Sequence, residues 1–190
     1  NGELYLELHR GTYTTQSRTK KNNRKCEILL HDVEFLSTFA WIYGLKYPAK
    51  EINECWEILL TNQFHDILPG SSIRNVYEDA EKDYSHIKKT GEELKERALK
   101  YIASKITMEK DGVIIFNSLS WERNGIVELF PFEGNLYDRD DILPCQDILD
   151  INGNPKKLTY ITGIPAKGYK VVSINQNSET DLKFSTSLKI

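Results

Sequence analysis

The stretch Ile73–Ile102, IRNVYEDAEKDYSHIKKTGEELKERALKYI, sets Ile73, Val76, Tyr77, Ala80, Tyr84, Ile87, Leu94, Ala98, Tyr101 and Ile102 mostly at three- and four-residue steps. That spacing is the 3.6-residue period of an amphipathic helix and not the two-residue period of a strand. At 1.5 Å per residue such a helix runs roughly 45–50 Å. Gly91 is a weak point within it, because glycine is a poor helix former. The opposite face carries Glu81, Lys82, Asp83, Lys88, Lys89, Glu92, Glu93 and Lys95, a mixed-charge surface suited to water or to a partner. One apolar stripe needs a second surface to bury it, and the preceding residues supply two.

From about Asn22, the residues Cys26, Leu29, Leu30, Val33, Leu36, Ala40 and Tyr43 repeat at helical steps, and Gly44 follows where a left-handed C-terminal residue belongs. A second helix is predicted after Tyr47-Pro48, with Ile52, Cys55, Trp56, Leu59 and Leu60 on its inner face. Pro69-Gly70-Ser71-Ser72 then stops one helix and caps the next. Short connections between three helices predict an antiparallel bundle over residues 19–108. Trp41 and Trp56, among apolar helical neighbours, read as core or domain-interface residues, whereas His31 and His86 fall on charged faces.

After Asp111-Gly112 the period shortens. Val113–Phe116 is a short apolar run, Gly125–Phe130 alternates, Ile151-Asn152-Gly153-Asn154 is a hairpin signal, and Tyr169–Ile174 is another strand. Turn clusters at Asn117-Ser118, Glu133-Gly134-Asn135 and Gly163-Ile164-Pro165 separate these runs, and Trp121 between two of them reads as a packing anchor. Leu4, Leu6 and Leu8 share one face of an opening strand, with His9 on the other side, and Leu182–Ile190 has the even spacing of a last strand. The predicted class is therefore α+β: a three-helix bundle preceded by one strand and followed by a partial antiparallel β-sandwich over residues 109–190.

Composition excludes several functions. Lys and Arg number 25 against 28 Asp and Glu, for a formal net charge of −3; nucleic-acid binding needs a clear basic surplus. The basic run Arg18, Lys20, Lys21, Arg24 and Lys25 reads as a solvated loop, since cations are mildly unfavourable at a helix N-terminus. No apolar run approaches the roughly 18–20 residues of a membrane span, so no membrane partner is expected. Cys26, Cys55 and Cys145 are too few and too widely spaced for a disulfide framework or a cysteine metal site. That usage suits a reducing, cytoplasmic compartment. The chain opens on Asn1 in strand-like sequence and is expected to be a piece of a longer protein.

The densest chemistry lies in Asn62-Gln63-Phe64-His65-Asp66-Ile67-Leu68-Pro69-Gly70-Ser71-Ser72. Amide, imidazole and carboxylate groups crowd the end of a helix against a sharp turn. Spacing alone leaves two roles open. His65 and Asp66 could cap helix carbonyls and turn amides, which is the commoner role for such a pair. They could also offer a metal ligand and a group that binds a sugar hydroxyl or orients the ring.

Two motifs favour the second role. Glu3-Leu4-Tyr5-Leu6-Glu7-Leu8-His9-Arg10-Gly11-Thr12-Tyr13-Thr14-Thr15-Gln16 resembles the segment that ends the catalytic domain of glycoside hydrolase family 38 α-mannosidases. NQFHDILPGSS is similar to the metal-site motif of the same family in its bacterial and cytosolic branch, with Phe64 standing where the secretory branch has a second histidine. The resemblance implies a (β/α)-barrel ending within residues 1–18, a helical middle domain and a following β-sandwich. It also implies one zinc ion, held by two histidines and two aspartates, and retaining hydrolysis of terminal α-mannosides by two carboxylates. On the motif match, His65 is the downstream histidine ligand, Asp66 a substrate contact, and Tyr13 belongs to a loop near the substrate pocket.

No His-x-Asp pair occurs in the chain, and the resemblance implies that the other ligands, the nucleophile and the general acid lie upstream in the barrel, so this chain alone is expected to be inactive. The implied partners are an α-mannoside or oligosaccharide substrate and the catalytic barrel of the same protein, with a homo-oligomer left open. The rival reading is a non-catalytic helical interaction module with a β-rich tail.

Overall fold

The computed structural model describes residues His9–Met108 and Asp111–Gln176, which form two compact units meeting at Lys105 and Ile106 in the sequence. The strands expected at Leu4–Leu8 and Leu182–Ile190 lie outside the described residues. Among its described residues, the first unit has a 3-10 turn, Arg10–Tyr13, followed by helices α1 (Ser17–Ile42), α2 (Ala49–Asn62) and α3 (Arg74–Ala103).

The three apolar stripes meet as the periodicity predicts. Cys26 and Leu30 of α1, Cys55 and Leu59 of α2, and Ala80, Tyr84 and Ile87 of α3 form one buried cluster. Leu29, Val33, Ile52 and Leu94 form a second, and Trp56 packs against both. Burying one such Leu or Ile completely stabilises the fold by about 1.5–3 kcal/mol. Helix α1 ends in a Schellman motif: Gly44, at φ +103°, donates to Trp41 O at 2.9 Å, and Leu45 N donates to Ala40 O at 3.1 Å.

Gly91 is no defect in α3. It is buried, and a β-carbon there would stand 2.7 Å from Leu29 Cδ2, so its bare backbone is the seat for a leucine of α1. Trp41, by contrast, is 59% exposed. It follows the buried Ala40 by one residue, about 100° further round the helix, and has left the inner stripe.

Helix α1 also starts earlier than its apolar stripe. The basic run belongs to its first turns and not to a loop, with Thr19, Asn22 and Asn23 buried between the basic residues. Lys20 offsets the unfavourable helix end by donating to Thr15 O at 2.6 Å and to Pro69 O at 3.0 Å.

The second unit holds two antiparallel sheets. Strands β1 (Gly112–Asn117), β3 (Asn135–Asp138), β4 (Asp141–Leu143) and β7 (Gly168–Asn175) pair in the order β1-β7-β3-β4, and β2 (Arg123–Leu129), β5 (Cys145–Leu149) and β6 (Pro155–Ile164) in the order β2-β6-β5. Leu129, Ile161 and Ile164 from the second sheet and Leu136, Val172 and Ile174 from the first share one buried cluster, the packing of a sandwich.

The β5–β6 hairpin turns at the expected Asn-Gly, with Gly153 at φ +82° and Asp150 Oδ1 accepting from Asn152 N and Asn154 N. Gly163-Ile164 is strand and not turn. The register between β2 and β6 shifts there, and Gly163 N donates to Asn124 Oδ1 at 2.7 Å, so the glycine marks a bulge. Trp121 is 59% exposed, so its ring is not the buried anchor expected. Its carbonyl instead accepts from the buried Asn117 amide at 2.8 Å, and the same amide reaches Pro165 O at 3.0 Å.

Candidate functional site

Helix α2 ends at Asn62, and its backbone closes the last turn with Gln63 N donating to Leu59 O at 3.2 Å and Phe64 N to Thr61 O at 3.2 Å. A further turn follows, with Ile67 N on Phe64 O at 2.8 Å and Gly70 N on Ile67 O at 3.1 Å. His65 and Asp66 ride on the outside of this coil, their side chains 77% and 56% exposed, with His65 Nε2 3.3 Å from Asp66 Oδ2. The Phe64 ring leans on the imidazole at 4.2 Å between centroids. The Asp66 carbonyl is fixed by Ser72 Oγ at 2.5 Å, and Ser72 N donates to the Tyr77 hydroxyl at 2.8 Å, which ties the turn to the start of α3.

The root of the turn is held by amides. Gln63 Nε2 donates to Asn23 Oδ1 at 3.1 Å and to Glu27 Oε1 at 2.9 Å. Asn62, 2% exposed, donates to Ile58 O at 3.0 Å and Asp83 Oδ2 at 2.9 Å. Asn22 continues the network, donating to Glu81 Oε2 at 3.2 Å and accepting from Lys88 Nζ at 2.6 Å. These groups join all three helices directly beneath the motif, and buried polar groups satisfied in this way fix one geometry. Sequence reasoning passed over them, although the signal was present: Asn22 precedes Cys26 by four residues and Asn62 follows Leu59 by three, both at core phase.

Tyr13 closes the 3-10 turn with its ring 63% exposed. Two residues on, Thr15 packs against Gly70, so the segment after Tyr13 lies on the turn that carries His65 and Asp66. Beside it, a cleft of about 420 Å³ is lined by Gln16, Arg18, Ser72, Arg74 and Tyr77 among others, and His65 and Asp66 stand outside it. Among the described residues, no three His, Cys, Asp or Glu side chains converge to enclose a metal ion. An exposed imidazole beside a carboxylate fits the role of one donor to an ion whose remaining ligands come from elsewhere.

Residues 7–102 match the family model described as the alpha mannosidase middle domain. The chain belongs to the alpha-mannosidase middle-domain family. The family 38 resemblance read from the two motifs is thereby borne out. Alpha-mannosidase 2C1 of Mus musculus is 44% identical over 130 residues, which is 67% of this chain and 12% of the mouse protein. A solved structure titled an alpha-mannosidase from Enterococcus faecalis V583 superposes with a TM-score of 0.71 at 16% identity, over 93% of this chain and 25% of that one. A second, titled a protein in the Glycosyl Hydrolase Family 38 from Enterococcus faecalis, gives a TM-score of 0.66 at 15% identity, over 96% of this chain and 27% of that one. At those identities the likeness is one of fold, and it spans both units. The chain thus covers about an eighth of the mouse relative's length.

Proposed function

We propose that this chain serves a zinc-dependent α-mannosidase that hydrolyses terminal α-mannosides with retention, and that it contributes His65 to the metal and Asp66 to the substrate. The observation that carries the reading is the exposed His65–Asp66 pair, 3.3 Å apart, held on a turn rooted in the polar network of the helices. In this reading, His65 gives one ring nitrogen to the ion. Asp66 steadies the imidazole and accepts a hydrogen bond from a sugar hydroxyl. The exposed Tyr13 ring forms part of the wall beside the sugar. His65 would hold a zinc ion there, which would supply Lewis-acid stabilisation of charge at the hydroxyls of the mannosyl residue.

The remaining ligands, the nucleophile and the general acid are placed in the catalytic barrel of the same protein, in a cytoplasmic enzyme, so the chain by itself is expected to be inert. The helical interaction module is the weaker reading. Several charges on the outer face of α3 pair within the helix, as in Arg74–Glu78, Lys95–Glu92 and Lys100–Glu96, which is how a solvated face satisfies itself. The test is hydrolysis of an aryl α-mannoside by the full-length enzyme, followed by NMR of the first-formed sugar anomer. Release of the α anomer supports the reading; an inactive zinc-loaded enzyme, or the β anomer, refutes it.

A further inference from the structure

We propose that Lys20 is a positioning residue for this site: its ammonium group clamps the Thr15 carbonyl to the Pro69 carbonyl, holding the segment after Tyr13 against the turn that presents His65 and Asp66. The proposal rests on the mannosidase reading and adds a residue to it. Lys20 Nζ donates to Thr15 O at 2.6 Å and to Pro69 O at 3.0 Å, so one cation ties its own end of α1 to a turn 49 residues further along the chain. Two carbonyls sharing an ammonium form charge-assisted bonds, stronger than neutral ones.

The two segments are also fitted to each other sterically. Gly70 takes φ +99°, and a β-carbon on it would collide with Thr15 and come within 3.2 Å of Gln16 Cγ. A side chain at residue 70 would have to displace the Thr15 and Gln16 side chains that seat on the glycine. The start of α1 gives a third, independent sign. Its first turn holds no acid, and Gln16 at the N-cap is left-handed, φ 49°, with no side-chain cap. For helix stability alone this is a poor beginning, and locally unfavourable choices of this kind point to a requirement elsewhere. Here that requirement is to bring Lys20 between the two carbonyls. Burial also lowers the Lys20 pKa, consistent with a lysine drawn inward from solvent.

The test compares the full-length enzyme with its Lys20→Met, Lys20→Arg and Gly70→Ala variants, by hydrogen exchange with and without zinc and by kinetics on an aryl α-mannoside. Lys20→Met is expected to speed amide exchange about tenfold in residues 11–16 and 64–71 together, the scale of one lost charge-assisted bond. It should raise KM, with an unfolding midpoint within about 4 °C of the parent. Lys20→Arg, which keeps donors for both carbonyls, is expected to restore slow exchange in both segments. Unchanged exchange, or a response in one segment alone, would overturn the clamp. Should Lys20→Met fail to fold, Gly70→Ala decides: faster exchange in residues 11–16 supports the clamp and unchanged exchange overturns it. An unsubstituted enzyme that cleaves no α-mannoside would sink the functional reading, while the exchange data would still judge the clamp.

Discussion

Gln63, the first residue beyond α2, donates its side-chain amide to Glu27 of α1 at 2.9 Å, which fixes where the next two residues, Phe64 and His65, leave the helix. The bond is charge-assisted and partly buried, and Gln63 shares it with Asn23 at 3.1 Å. Replacing Gln63 by Ala removes one donor from the Glu27 carboxylate, which keeps Asn23 at 3.1 Å and Arg24 at 3.1 Å, at a cost of about 0.5–1.5 kcal/mol. Gln63→Glu sets two carboxylates against each other and should cost more. Urea unfolding is expected to rank the chains parent, Gln63→Ala, then Gln63→Glu in falling stability; equal midpoints for all three would show that the network holds nothing.

Gly91→Ala separates packing from propensity. Intrinsic preference alone makes alanine in a helix better than glycine by about 1 kcal/mol. The Leu29 side chain opposes that gain, because its Cδ2 and Cγ would lie 2.7 and 2.9 Å from the new β-carbon. Overpacking of this kind costs about 1–3 kcal/mol, so the variant is expected to unfold at lower denaturant than the parent. A gain in stability would mean that α1 and α3 separate easily.

Alkaline pH should weaken the helical unit. Burial pushes the Cys26 thiol from 9.0 up to about 11 and the Tyr84 phenol from 10.0 up to about 12. Both groups lose their protons in the unfolded chain first, so above about pH 9 the folded state binds more protons than the unfolded one. Stability then falls as the pH rises, each group contributing at most about 1.4 kcal/mol per pH unit between its unfolded and folded values. The loss begins near 9 for Cys26 and near 10 for Tyr84, and is complete above their folded values. Cys26→Ala is expected to lessen the earlier part of the decline in a series of urea melts from neutral to alkaline pH, the rest of it falling to Cys55, whose thiol burial also raises, and an unaltered decline would assign it all to other groups.

The helices and the sandwich were legible because burial imposes a period. Cys26, Leu30, Cys55, Leu59, Tyr84 and Ile87 all lie where a 3.6-residue repeat puts them. The Asn152-Gly153 turn and Gly44 were legible because each needs a left-handed backbone. Strands β3, β4 and β5 were not, since Asn135–Asp138, Asp141–Leu143 and Cys145–Leu149 are short and mix charged with apolar residues. The pairing of β3 with β7, which also carries β4 at the sheet edge, is a tertiary choice. Within the site, His65 and Asp66 stood out by residue type. Lys20, Asn23 and Gln63 did not, because their partners on other elements are 36 to 49 residues away in the chain and only the fold brings them together.

The most direct measurement is bound zinc and α-mannoside hydrolysis on one preparation of the full-length enzyme carrying His65→Ala. Changing a residue that merely orients a metal ligand already costs about 10–100-fold in metal affinity or activity, and loss of the ligand itself should exceed that. The expected result is that zinc content and hydrolysis fall together, with unfolding near the parent midpoint because the His65 side chain is 77% exposed. Stoichiometric zinc with undiminished hydrolysis in that variant would contradict the role given to His65.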